Sequence, residues 1–174
     1  MLESGCYTAG TNLGDGETVP SDRPGVVAPP PLVFLAFFGA GALLEWLWPT
    51  PALPSPAAYG GAALGLGITV ALVLAARRRF REAGTNVEPT RPATALVTEG
   101  IYGRTRNPMY LALALGHAGI AVGFGFLWAL ASLVPALLVI HFGVVRREER
   151  YLDEKFGEPY RRYASETPRW FWRP

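Results

Sequence analysis

Residues 109–145 carry no formal charge, a run longer than one helix of a soluble domain would hold. At roughly 20 apolar residues per membrane crossing, it suffices for two helices. Both ends of the run are polar. Arg106-Asn107-Pro108-Met109-Tyr110 opens it, and Glu148-Glu149 follows its close. A hairpin inserted in a bilayer brings these two clusters to the same side, where a charged cofactor can be held beside a lipid-soluble substrate.

The rest of the chain repeats the segregation. Only 17% of residues are charged, against about 25% in an ordinary soluble domain, and nearly all lie between or after apolar stretches. The pattern predicts spans over 32–48, 57–76, 109–123 and 126–145. The expected architecture is an all-α membrane protein of about four transmembrane helices, with a C-terminal helical hairpin and a cytoplasmic cofactor pocket. Residues 31–174 form one domain, with a cytoplasmic segment over 146–174. The 16 basic residues are Arg23, those within 77–106 and those within 146–173. The loop between the first two spans has none, and neither has Gly123-Phe124-Gly125. Basic segments stay inside, so the N-terminus, the middle loop and the C-terminal segment are expected in the cytoplasm of an inner-membrane protein.

Residues 1–30 are rich in Gly, Pro and Thr, with no basic stretch before an apolar core. They read as a disordered cytoplasmic tail rather than a cleaved signal. The single Cys6 excludes an internal disulfide. Two histidines and one remote cysteine give no metal site of His/Cys type, and no nucleic-acid motif is present.

Within the spans, Gly61-Ala62-Ala63-Leu64-Gly65 and Gly119-Ile120-Ala121-Val122-Gly123 place small residues four apart, as close helix contacts in lipid require. They read as seams inside one chain, and Gly123-Phe124-Gly125 as the hairpin turn. Glu45, next to Trp46 and Trp48 and within a turn of the end of its span, is the one formal charge inside a span. It reads as an interfacial anchor ahead of a catalytic acid. His117 reads as a bond to a neighbouring helix. His141 lies seven residues before Glu148, so an unbroken α-helix would put both on nearly one face.

Between the spans, Glu82-Ala83-Gly84-Thr85-Asn86-Val87-Glu88-Pro89 reads as turn and extended chain. Leu96-Val97-Thr98-Glu99-Gly100-Ile101-Tyr102 follows as a short apolar stretch. Pro108 suits the first turn of the third helix, with Asn107 placed to cap it. The fourth helix is expected to continue from Arg146 to Phe156, although Arg146–Arg150 and Glu149–Asp153 are like-charge pairs four apart. Phe156-Gly157-Glu158-Pro159-Tyr160 breaks it. The aromatic, basic tail after Tyr163 suits the headgroup layer. Glu148 and Glu149 are expected to face Arg104 and Arg106.

In these motifs the chain resembles the isoprenylcysteine carboxyl methyltransferase and phospholipid methyltransferase superfamily. The resemblance runs in order through Gly84-Thr85-Asn86-Val87-Glu88-Pro89, Leu96-Val97-Thr98-Glu99-Gly100-Ile101-Tyr102 and Arg106-Asn107-Pro108-Met109-Tyr110. It continues through Glu148-Glu149-Arg150-Tyr151-Leu152 and Phe156-Gly157-Glu158-Pro159-Tyr160-Arg161-Arg162-Tyr163, ending near Pro168-Arg169. It implies a small helical membrane bundle with a cytoplasmic S-adenosylmethionine pocket covered by the C-terminal tail. It implies cofactor contacts at Thr94, Ala95, Leu96, Val97, Tyr102, Asn107, Pro108, Met109, Tyr110 and Glu148. Glu149 joins that set as Glu148's neighbour. Arg106 is the candidate for the cofactor's carboxylate.

The chain departs from the family at Asn107, where His is usual, at Ala112, where Gly is frequent, and at Val144. There the carboxyl methyltransferases carry a substrate-binding Arg. The expected activity is methyl transfer from S-adenosylmethionine to a lipophilic acceptor in the bilayer. The alternatives are a sterol-type reductase using NADPH and a non-enzymatic scaffold whose tail docks on anionic lipid. No residue is singled out as the general base, with His141 and Glu149 as weak candidates.

Overall fold

A computed structural model of the chain describes residues 6–8, 24–51, 56–86 and 92–171. Its elements in order are strand β1 (Cys6–Thr8), helices α1 (Pro30–Leu47) and α2 (Pro56–Glu82), and strand β2 (Ala95–Val97). A 3-10 turn (Gly100–Gly103) leads to α3 (Pro108–Phe124) and α4 (Leu127–Ile140). The last of these passes through a wider-wound π segment, His141–Val145, into α5 (Arg146–Phe156), and α6 (Glu158–Glu166) follows. β1 and β2 pair antiparallel, with Tyr7 opposite Leu96.

The protein is an all-α membrane protein. Three helices are long and apolar enough to cross a bilayer, while α3 is a shorter apolar helix of 17 residues. At 1.5 Å per residue it is about 25 Å long, so its start lies close to the membrane boundary. α2 runs past the expected limit of 76 because its arginines continue the helix. Arg78 and Arg79 meet Glu82 at 2.7 and 3.0 Å, one turn on.

Close packing of small residues joins the helices, as lipid-embedded contacts demand. A methyl group on Gly41 of α1 would overlap the Ala129 backbone of α4. One on Gly123 of α3 would come within 2.7 Å of the Ala62 side chain of α2, and one on Gly65 within 3.6 Å of Gly119 Cα. The expected seams therefore lie within one chain, through Ala62 and Gly65 rather than Gly61. The α3–α4 turn uses Gly125 at φ 69°, a left-handed conformation that glycine adopts without strain.

At this turn end, Glu45 is buried and accepts from the Thr50 amide at 2.7 Å and from the Thr50 hydroxyl. It also accepts from the Trp128 amide at 3.1 Å. A carboxylate there satisfies an orphan donor in the first turn of α4 and complements its dipole. Glu45 is a structural anchor. His117 is also structural: its Nε2 lies 2.8 Å from the Ala129 carbonyl, and Phe38 packs edge-on at 5.1 Å.

The opposite end carries the charge. π winding leaves backbone groups without their usual partners, and the chain before α1 supplies one. The Val27 amide donates to the Gly143 carbonyl at 3.2 Å, and Arg147 donates to the Gly25 carbonyl at 2.8 Å. Of the segment 1–30 expected to be a disordered tail, β1 and residues 24–30 are thus packed; the remainder lies outside the described residues.

Candidate cofactor pocket

The pocket forms where the charged ends of α2, α3 and α5 meet β2 and α6. Pro108 occupies the first turn of α3, where its missing N–H is not needed. Asn107 stands at the N-cap position but makes no side-chain cap. Its Nδ2 donates instead to the Arg169 carbonyl at 3.0 Å, which corrects the expected capping role. The acceptor that orients this side chain comes from the C-terminal strap, 62 residues away in sequence and invisible to local pattern.

Ala95, Leu96, Val97, Tyr102, Arg106, Asn107, Pro108, Met109, Tyr110 and Glu148 line one cavity. Thr94 and Glu149 do not. Thr94 is exposed and holds the loop, its hydroxyl donating to the Gly84 carbonyl at 3.2 Å and its amide to Thr85 Oγ1 at 2.9 Å. Glu149 lies beside the cavity as the centre of an ion triad. It meets Arg106 at 3.0 Å and takes a two-pronged contact from Arg169 at 2.8 and 2.6 Å. Of the two arginines expected to face the acids, Arg106 does so, whereas Arg104 is exposed. The like charges along α5 thus have partners on other elements: Glu149 on two arginines, and Asp153 on Arg161 at 2.8 Å.

Glu148 is half-buried and lines the cavity. Desolvation raises its carboxyl above the ordinary glutamate value, opposed by the Tyr110 hydroxyl, which donates to it at 2.7 Å. Neighbouring Glu149 adds to the rise. The phenols around it are held neutral. Burial raises Tyr102 well above the ordinary value, and raises Tyr160 to about 12. Arg106 also donates to the Tyr160 hydroxyl at 3.3 Å, yet its buried Nε has no partner. An orphaned guanidinium N–H at the wall of a cavity is a donor in want of an acceptor.

His141 does not line this cavity. It meets Phe142 edge-on and lies tilted against Trp170, at 4.8 and 6.4 Å between ring centres. The seven-residue spacing that put it on the Glu148 face assumes unbroken α winding. The π segment between them works like one inserted residue, a rotation of about 100°.

Sequence reasoning did not single out Pro24, Phe80, Asn86, Ala93, Tyr151, Leu152, Tyr160 and Tyr163, which also line the cavity. Five of these, Asn86, Tyr151, Leu152, Tyr160 and Tyr163, sit in recognised motifs, and Phe80 interrupts a run of arginines. Pro24 has no local signal: it arrives because Gly25 and Val27 are tied to α5 and the π segment. The enclosed space is about 90 Å³, below the ~300–1,000 Å³ of pockets for drug-sized ligands. A nucleoside-sized molecule would therefore also occupy the open mouth or spread the walls.

Part of the sequence is similar to known proteins. The chain is 35% identical over 81 residues to the cobalt-zinc-cadmium resistance protein CzcN of Cupriavidus metallidurans, covering 47% of this chain and 37% of that protein. It is 32% identical over 81 residues to the nickel-cobalt-cadmium resistance protein NccN of Alcaligenes xylosoxydans xylosoxydans, covering 47% and 38%. The chain thus spans well under half the length of both. An uncharacterised Haemophilus influenzae protein is 39% identical over 62 residues, 36% of this chain and 98% of that one. No solved structure matches. A match over residues 57–159, from α2 through the pocket to α6, shows that the chain belongs to the phospholipid methyltransferase family.

Proposed function

We propose that this protein is an integral-membrane methyltransferase that binds S-adenosylmethionine at the charged end of its helices and methylates a lipophilic acceptor. The observation that carries the reading is the meeting of Glu148 with the Arg106-Asn107 corner in one cavity. The residues fit such a cofactor. Glu148 would hold its ammonium, and the unpartnered Nε of Arg106 would hold its carboxylate. Aromatic faces and apolar β2 side chains would hold the nucleoside and sulfonium. When bound, the cofactor supplies an electrophilic methyl group.

The chain's own part is positioning and exclusion of water. Methyl transfer is an in-line displacement, so a fixed approach geometry contributes most of the rate. Leu96, Val97, Met109 and Leu152 give the cavity an apolar part beside its charged groups. The neutral Tyr102 and Tyr160 donate or accept hydrogen bonds there without adding charge. A carboxylate acceptor would need no base, while an amine, thiol or phenol would lose a proton. The basic residues at this end favour a cytoplasmic opening.

The names of the two resistance proteins raise a metal-handling reading. Methyl transfer is preferred because the family match over residues 57–159 takes in most of the residues that line the cavity. The test uses membranes containing the protein, S-adenosylmethionine labelled on its methyl group and extraction into organic solvent. Label is expected in the lipid phase with wild type and absent with Glu148→Ala. Equal label with both would remove Glu148 from the site. No label with wild type, across amine, acid, thiol and phenol lipids, would remove the activity.

A further inference from the structure

The strap after α6 joins the pocket to the membrane boundary. The Pro168 carbonyl accepts from the Arg106 amide at 3.0 Å. The Arg169 carbonyl accepts from Asn107 Nδ2 at 3.0 Å and from Thr105 Oγ1 at 3.1 Å. The Arg169 guanidinium grips Glu149, which in turn pairs with Arg106. Two residues of strap therefore fix all three residues of the Thr105-Arg106-Asn107 corner. The next residue, Trp170, packs against the helix core beside His141, and Phe171 is 66% exposed.

The lipid-facing surface shows the level at which these aromatic residues sit. Val134, Leu138 and Phe142 recur four apart and are each more than half exposed, forming an apolar ridge along the outside of the helix. The ridge ends at Arg146, whose guanidinium lies 5.7 Å from the Phe142 ring centre. An arginine folded over the last apolar residue of a span marks the water boundary. His141 and Trp170 lie at that boundary, where indole rings prefer to reside.

We propose that Trp170 and Phe171 seat in the headgroup layer of the bilayer, and that this seating holds the strap on the Thr105–Asn107 corner and so assembles the pocket. The strap is then a membrane-dependent clamp: lipid seating supplies the apolar contact, and the Arg169–Glu149 pair transmits it. The proposal rests on the methyltransferase reading only for its meaning, since seating and clamping are measurable without a cofactor.

The experiment uses the full chain in phosphatidylcholine nanodiscs. A spin label at Phe171→Cys, in a Cys6→Ser background, reports depth. Hydrogen exchange of the Arg106 amide reports whether the strap is docked. The label is expected at headgroup depth. Phe171→Asp is expected to speed Arg106 exchange by roughly tenfold or more, while amides in the middle of α2 and α3 keep their protection. Arg169→Ala is expected to speed it as well. A label in bulk water, or unchanged Arg106 exchange in Phe171→Asp, would overturn the proposal. If wild type shows seating and protection but does not bind S-adenosylhomocysteine, the cofactor reading fails and the clamp stands.

Discussion

At the residue scale, the two adjacent glutamates have different tasks, and substitution separates them. Glu149 neutralises Arg106, whose side chain is only 14% exposed. Removing one partner of a buried pair leaves the other charge uncompensated and costs about 3–5 kcal/mol. Glu149→Ala should therefore lower the thermal midpoint in nanodiscs clearly more than Arg169→Ala, which leaves Arg106 paired. Glu148 carries the opposite sign. Its carboxyl is raised in the folded protein, so ionising it opposes folding as pH rises from the ordinary carboxyl range through the raised value. Glu148→Gln keeps an acceptor for Tyr110 and should match or exceed wild-type stability at neutral pH while binding the cofactor more weakly. A ligand ammonium favours the ionised carboxylate. Affinity for S-adenosylhomocysteine should then fall as pH is lowered through the Glu148 value, and the Glu148→Gln variant should lack that pH dependence.

At the scale of elements, the π segment sets which residues of α5 reach the pocket. Deleting Gly143 would restore α winding and turn Glu148 and Glu149 by about 100° relative to α4. Circular dichroism should show helix content retained, and titration should show ligand binding lost; retained binding would mean that the π segment is not what aims Glu148. The spans, the Gly125 turn, the Pro108 start and the Gly157 break were all legible, because charge segregation, glycine and proline act locally. The π segment was not, since nothing in His141-Phe142-Gly143-Val144-Val145 announces it. Its carbonyl at Gly143 is satisfied by Val27, more than 100 residues earlier. The Asn107 role was misread for the same reason. Its local position favours a cap, but the Nδ2 bond to a distant carbonyl orients the side chain, and Oδ1 makes no bond to the amides of the first turn.

At the scale of the molecule, the charged ends of α2, α3 and α5 close with β2 and α6 around one cavity whose Thr105–Asn107 corner the strap braces, while the other end is fixed by Glu45 and tight glycine packing. Most of the expected site residues meet there because a membrane hairpin leaves its two ends little choice of side. The walls contributed by Pro24, Phe80 and α6 depended on tertiary contacts. If the charged end faces the cytoplasm, as the arginine distribution favours, cysteines introduced at exposed Arg104 and Arg150 should resist an impermeant thiol reagent in intact cells. One at exposed Phe124 should react. The reverse labelling would invert the topology.

The central claim is that Glu148 and the Arg106-Asn107 corner form one site for S-adenosylmethionine. Calorimetric titration of the nanodisc-held protein with S-adenosylhomocysteine tests it most directly. The account predicts saturable binding of one ligand per chain by wild type, weakened by more than about tenfold (roughly 1.4 kcal/mol) in Glu148→Gln. Absence of binding by wild type, or equal affinity in the variant, would contradict it.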